Sequence, residues 1–296
     1  MPRLSVPLAR TLARRVLRPV LRPGVPVPAQ RAWVAAMGGP LPPGTRTERC
    51  APGGVPALRI TVGPAAPTRV MLYLHGGGYV VGSSRSHRAF AAHLAAATRS
   101  VVYALDYRRA PEHPHPAALD DTANAWHRLA DRTPADTPMI LTGDSAGGGL
   151  ALTTALGLRG GKARAPDALV LVSPWLDPLR PWPFEPRYHR DPVLRTGWLS
   201  RCAAAYAPGG DRDALSPARG ADLSGLPPTI VQNGTDDILA PEGAAFAERA
   251  REFGAAVEHT EYPDLWHVFQ VMAGMLPAAD EALHDLGKSL DAVLPR

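Results

Sequence analysis

Cysteine is nearly absent: Cys50 and Cys202 are the two among 296 residues. Two isolated thiols make neither a disulfide framework nor a zinc-type spacing. Lysine is equally rare, with Lys162 and Lys288 the exceptions among 32 basic residues. Together with abundant alanine and proline, this bias reads as a GC-rich coding sequence rather than as selection for guanidinium chemistry. No apolar run reaches the ~18–20 residues of a membrane-spanning helix, so stable membrane insertion is not expected. Neither a repeat nor a linker is visible. Proline (33) and glycine (28) are plentiful, yet together stay short of the ~25–30% that marks low-complexity chains. With 45% hydrophobic and 20% charged residues, the composition excludes collagen, coiled coil and wholesale disorder.

Acid is missing from the first 31 residues, which hold seven arginines: Arg3, Arg10, Arg14, Arg15, Arg18, Arg22 and Arg31. This segment is the source of the net charge of +5; the remainder holds 25 basic against 27 acidic residues. A nucleic-acid channel through the body is therefore not expected. The pair Arg14-Arg15 is followed by neither an apolar stretch of ~7–15 residues nor a small-residue cleavage site, so the segment does not read as a secretory signal. Leu4, Leu8, Leu12 and Val16 fall at i, i+4 spacing and predict one apolar stripe of a short helix, docked on the body or capping it. Pro7 is tolerated in its first turn. The cytoplasm is the default location.

The length fits one α/β domain as well as two smaller ones. Apolar, β-rich runs bounded by Gly and Pro predict strands at 55–62, 69–74, 100–106, 139–142, 168–172, 229–232 and 257–262. Helical spacing predicts helices at 84–99, 119–129, 146–158, 244–253 and 279–293. Between 174 and 216 the rhythm breaks in a Pro-, Trp- and Arg-rich stretch, read as a partly helical insertion. Alternating strands and helices imply a mostly parallel sheet covered on both faces. Function in such sheets sits in loops at the carboxyl ends of the strands.

Gly143-Asp144-Ser145-Ala146-Gly147 fits G-x-S-x-G, a pattern that chance alone supplies in about one such chain in ten. Its place between an apolar strand and a helix is what a nucleophile elbow requires. The helix N-terminus adds partial positive charge where negative charge develops. His75-Gly76-Gly77-Gly78-Tyr79 follows another strand. Its glycines free the backbone to turn N–H groups into a cavity, as an oxyanion requires. The rival, a phosphate-cradling loop, lacks the Lys-Ser/Thr ending. A serine nucleophile needs a base, and the base needs an acid. His267 stands in a loop after the run at 257–262, while His113 and His115 lie in a Pro-rich turn suited to surface or structural roles. Asp236 and Asp237 follow the run at 229–232, so the chain order is Ser, Asp, His.

These motifs resemble the hormone-sensitive-lipase-like branch of the α/β-hydrolases, the bacterial carboxylesterases bearing HGGG and GDSAGG. The likeness runs from about residue 69 to the C-terminus. It includes Asp106-Tyr107-Arg108, Ala110-Pro111-Glu112, Ser173-Pro174-Trp175 and the stretch 264–269. It implies an α/β-hydrolase fold with a mostly parallel central sheet, flanking helices and a helical cap, all in one domain over 1–296. Residues 1–45 and about 180–215 correspond to the cap. By matching positions the resemblance assigns Ser145 as nucleophile, His267 as base and, within Asp237-Ile238-Leu239-Ala240-Pro241-Glu242, Asp237 rather than Asp236 as acid. The oxyanion donors correspond to the N–H groups of Gly77, Gly78 and Ala146.

Two positions depart from the pattern: Ile238 replaces a common Pro, and Val268 stands where many relatives have Gly. Tyr79, Trp175 and the stretch 182–188 are candidate pocket walls.

The implied activity is hydrolysis of short-chain, acetyl-type carboxylic esters, a small-molecule reaction needing no metal or organic cofactor. The alternatives are deacetylation or lactone opening on a specialised metabolite. A ligand-binding protein on an inactive hydrolase scaffold, as in plant gibberellin receptors, typically loses a triad member; here all three residues are present. A homo-oligomer is left open. An unperturbed histidine base predicts an acidic limb of activity near ~6.5.

Overall fold

The computed structural model describes residues 3–161, 163–178, 189–209 and 216–294. Its centre is an eight-stranded sheet: β1 (Thr45–Cys50), β2 (Ala57–Val62), β3 (Arg69–Leu74), β4 (Ser100–Leu105), β5 (Met139–Asp144), β6 (Ala168–Val172), β7 (Thr229–Gly234) and β8 (Val257–Tyr262). They lie in the order β1-β2-β4-β3-β5-β6-β7-β8. β2 pairs antiparallel with both β1 and β4, and every other pairing is parallel.

Sequence follows depth in the sheet. β5 and β6, at the centre, are buried at every residue; β6 (ALVLV) reads as an unbroken apolar run and β5 (MILTGD) begins as one, because neither of their faces meets water. The edge strand β8 (VEHTEY) carries charge and is half exposed. β1 (TRTERC) is exposed over its four central residues and carries no apolar signal, so the sequence pattern predicts no strand there. What makes it one is backbone pairing with β2, from Thr45 opposite Val62 to Cys50 opposite Ala57.

Helices α1 (Val6–Val16) and α2 (Val27–Ala36) precede the sheet, and α3 (Arg88–Thr98), α4 (Ala117–Ala130) and α5 (Ala146–Leu158) alternate with its strands. α6 (Thr196–Tyr206) lies in the insertion; α7 (Ala240–Glu252) and α8 (Pro277–Val293) close the chain. α3 packs with α8, and α4 with α5, forming two groups against the sheet. α3 starts four residues later than its periodicity predicts. Ser83, Ser86 and the Ser84–Asp106 pair satisfy one another there, holding a turn instead of a first helical turn.

α1 forms where its spacing predicts, and it seats on the body through its alanines. Ala9 and Ala13 are buried, whereas Leu8 and Leu12 remain 55% and 44% exposed. Alanines let the helix backbone approach the body closely, and the leucine stripe is left to flank a cavity mouth. No helix among the described residues is long and apolar enough to cross a membrane.

Candidate active site

β5 runs directly into α5, and the turn between them is tight. A Cβ on Gly147 would collide with the carbonyl oxygen of Leu74, and one on Gly143 with that of Gly147. Ser145 occupies the turn at φ 53°, ψ −122°, outside the comfortable regions for a residue with a side chain. Its N–H donates to Val172 O (2.9 Å), and its carbonyl accepts from Gly148 N (3.0 Å) and Trp175 N (2.8 Å). Tyr79 (62°), Ser173 (46°) and Val268 (49°) also have positive φ, and all four residues lie in loops at the carboxyl edge of the sheet. Such conformations cost about 1–3 kcal/mol each and gather where function holds them.

His267 follows β8 and Asp237 follows β7. The His267 Nδ1–H donates to Asp237 Oδ1 at 3.0 Å, and both side chains are buried. Asp237 Oδ1 also accepts from Leu239 N (2.9 Å) and Oδ2 from Asn233 Nδ2 (3.2 Å). Burial alone would push the imidazolium pKa down. The charge of Asp237, its hydrogen bond, and the more distant Asp191 and Asp144 outweigh that, and the net shift is upward. Burial likewise opposes the Asp237 carboxylate, but His267 and the hydrogen bonds hold its pKa below the usual range. Asp236 points elsewhere: its Oδ2 accepts from Arg10 Nη2 at 2.6 Å.

The glycine loop leaves the end of β3 beside Ser145. Asp144 Oδ1 accepts from Gly76 N (2.9 Å) and from the Tyr73 hydroxyl, tying the loop to the elbow. Gly77 and Gly78, at φ 117° and 62°, have no backbone acceptor for their N–H groups among the described residues. A Cβ on Gly78 would press on Cys202 and Trp198 of α6. The Ala146 N–H opens α5, where the helix offers it no acceptor.

Ser145 and His267 line one cavity of about 460 Å³, with Gly77, His87 and Asp144 also on its wall. Most of the remaining surface is apolar, from Leu12, Val16 and Leu17 on one side to Phe90, Trp198 and Met272 on the other. Tyr79 and Trp175, expected as pocket walls, do not line it. The loop turns at Gly77 so that Gly77 and Val81 face the cavity while Tyr79 stacks on Tyr206 (3.7 Å between ring centres) and leans on Trp175. The stretch 182–188 lies outside the described residues.

Residues 71–271 match the family described as alpha/beta hydrolase fold. The chain belongs to it. An acetyl-hydrolase of Streptomyces hygroscopicus is 37% identical over 225 residues, 75% of each chain. An ethyl acetate hydrolase of Pseudomonas putida is 33% identical over 228 residues, 74% of this chain and 72% of that one. A crystal structure of an esterase from the bacterial hormone-sensitive lipase family superposes with a TM-score of 0.88 at 33% identity, over 98% of each chain. The chain is thus an ester hydrolase of the hormone-sensitive-lipase-like branch.

Three residues of this hydrolase escape sequence reasoning. Asp191 is fully buried; its Oδ1 accepts from Val193 N (2.7 Å) and Leu194 N (3.0 Å), and its Oδ2 from Ile238 N (3.2 Å). A proline at 238 would have no N–H to give, so the departure at Ile238 supplies this link. Arg31 pins α2 to the glycine loop through Val80 O and Ala110 O (2.8 Å each) and pairs with both oxygens of Glu112. His87 reaches to 3.8 Å from Asp144 Oδ2. Each depends on a contact distant in sequence, and the motif pattern carries no trace of it.

Proposed function

We propose that the protein hydrolyses acetyl-type esters of apolar alcohols through an acyl-enzyme on Ser145. The observation carrying this reading is the Asp237–His267 hydrogen bond opening onto the same cavity as Ser145. Ser145 Oγ attacks the acyl carbonyl while His267 Nε2 takes its proton, and Asp237 fixes the tautomer and stabilises the imidazolium. The N–H groups of Gly77, Gly78 and Ala146 receive the oxyanion; no part of that hole has to reorganise as charge develops. His267 returns the proton to the departing alcohol. A water then attacks the acyl-enzyme with His267 again as base.

The names of the relatives support an acetyl group as the acyl part. An acetyl group has roughly the bulk of two waters at about 30 Å³ each, far less than the 460 Å³ available. The remaining apolar space suits the alcohol, which favours deacetylation of a larger apolar metabolite over cleavage of very small esters. α1, α2 and the described part of the insertion act as the cap, since their side chains form that apolar wall; the single domain with these cap elements is part of the same reading.

A fluorophosphonate probe tests the nucleophile directly. One label per chain, on the peptide containing Ser145 and absent from Ser145→Ala, is the expected result. Labelling that survives the substitution, or none in the wild type, rejects the mechanism.

A further inference from the structure

A second concavity, of about 1140 Å³, lies on the other side of α1. Leu21 is the one described residue lining both; α1 and residues 193–194 stand between them. This groove is walled by arginine. Arg14, Arg15, Arg18 and Arg22 come from α1 and the chain after it, and Arg195 comes from the insertion. Arg10 and Arg190 complete the set, and both approach Asp236, at 2.6 and 3.8 Å. The second acid on the wall, Asp191, spends its carboxylate on three backbone N–H groups.

Among the described residues the remaining guanidinium groups pair with no carboxylate, and the charge of Asp191, which favours Arg18 and Arg195, only partly offsets their crowding. Among the described residues, the guanidinium groups of Arg14, Arg15, Arg18 and Arg22 make no hydrogen bond or ion pair, and Arg195 reaches only the carbonyls of Asp191 and Leu194. The helix dipole favours Arg14 and Arg15 near the end of α1, but it gives no reason for Arg22 or Arg195 to converge on them. The crowding is unfavourable: burial and the charge of Arg14 push the Arg18 pKa down, and burial, Arg18 and Arg14 do the same to Arg195. Like charges held in a concave wall make a field that attracts anions, and guanidinium forks match phosphate oxygens in pairs.

We propose that this groove is a binding site for a phosphate-bearing anion carrying several charges, which bridges α1 to residues 189–195. The phosphate could be supplied by a soluble di- or polyphosphate or by phospholipid headgroups, and both offer the same oxygens. Bound there, it would fasten α1 against the segment that also brings Val193 and Leu194 to the wall of the Ser145 cavity.

The test is thermal unfolding of the full chain during titration with inorganic pyrophosphate, with ionic strength held constant by sodium chloride. A saturable rise in Tm of about 3 °C or more is expected, and it should vanish in Arg14→Ser/Arg18→Ser while Arg14→Lys/Arg18→Lys keeps part of it. Should the serine variant fail to fold, calorimetric titration of the wild type decides: saturable heat supports the site, and its absence overturns it. Sedimentation with phosphatidylglycerol vesicles, against phosphatidylcholine controls, separates the sources. Vesicle binding that pyrophosphate releases assigns headgroups, whereas a Tm shift without vesicle binding assigns a soluble anion. A shift that chloride reproduces, or one equal in wild type and serine variant, overturns the proposal.

Discussion

Asp236 and Asp237 are adjacent in sequence but meet different partners, and their substitutions should separate accordingly. Asp237→Asn leaves the shape of the site but no longer fixes the His267 tautomer, so kcat should fall on the order of 10³–10⁴-fold. Asp236→Asn loses the ion pair with Arg10, which is partly open to water, and should change kcat less than about tenfold. Steady-state rates on p-nitrophenyl acetate check both; equal losses would contradict the assignment. The pH profile is sharper than the motif alone allowed. Because Asp237, Asp191 and Asp144 raise the His267 pKa despite its burial, and the base must be neutral, the acidic limb of kcat/KM should lie above the ~6.5 of a free histidine. Asp191→Asn removes one of those charges and should move the limb down, measured as kcat/KM from pH 5 to 9. An unmoved limb would make Asp191 a purely structural anchor. Ser145 and His267, which line one cavity, stand out in the sequence as candidates because motif and chain order mark them. Asp191 does not, because its role arises from a fold that brings residues 191 and 238 within hydrogen-bonding distance.

At the level of elements, the elbow and the cap behave oppositely under substitution. Gly147 lies against the carbonyl of Leu74 with no room for a methyl group. Gly147→Ala has to displace backbone, so it should cost more than the ~1–3 kcal/mol of ordinary overpacking, read from the urea midpoint. α1 is different, since two small side chains seat it on the body. Ala9→Leu should lift the helix, raising KM for p-nitrophenyl butyrate several-fold while kcat changes little; an unchanged KM would separate α1 from substrate binding. Central strands were legible because burial on both faces imposes unbroken apolar runs. β1 was hidden, since an edge strand with exposed side chains is specified by its pairing with β2. Which face of α1 seats on the body was not legible for a related reason: leucine spacing reports an amphipathic helix, but the body accepts the flank where alanine allows close contact.

Over the whole molecule, strained loops at the carboxyl ends of the sheet bring together residues spread over positions 75 to 268, and the sheet behind them is an apolar frame that tolerates the strain. Five of the N-terminal arginines, Arg10, Arg14, Arg15, Arg18 and Arg22, line the groove beside α1, whereas Arg31 pairs with Glu112. The proposed chemistry places an acyl-enzyme on Ser145 in an apolar cavity with room for a small acyl group and a larger alcohol. Its most direct measurement is hydrolysis of p-nitrophenyl esters from C2 to C12 by wild type and Ser145→Ala. Turnover should be highest at C2 to C4, fall with acyl length, and drop to background in the variant. Turnover that survives in Ser145→Ala, or that peaks at C10 to C12, would contradict it.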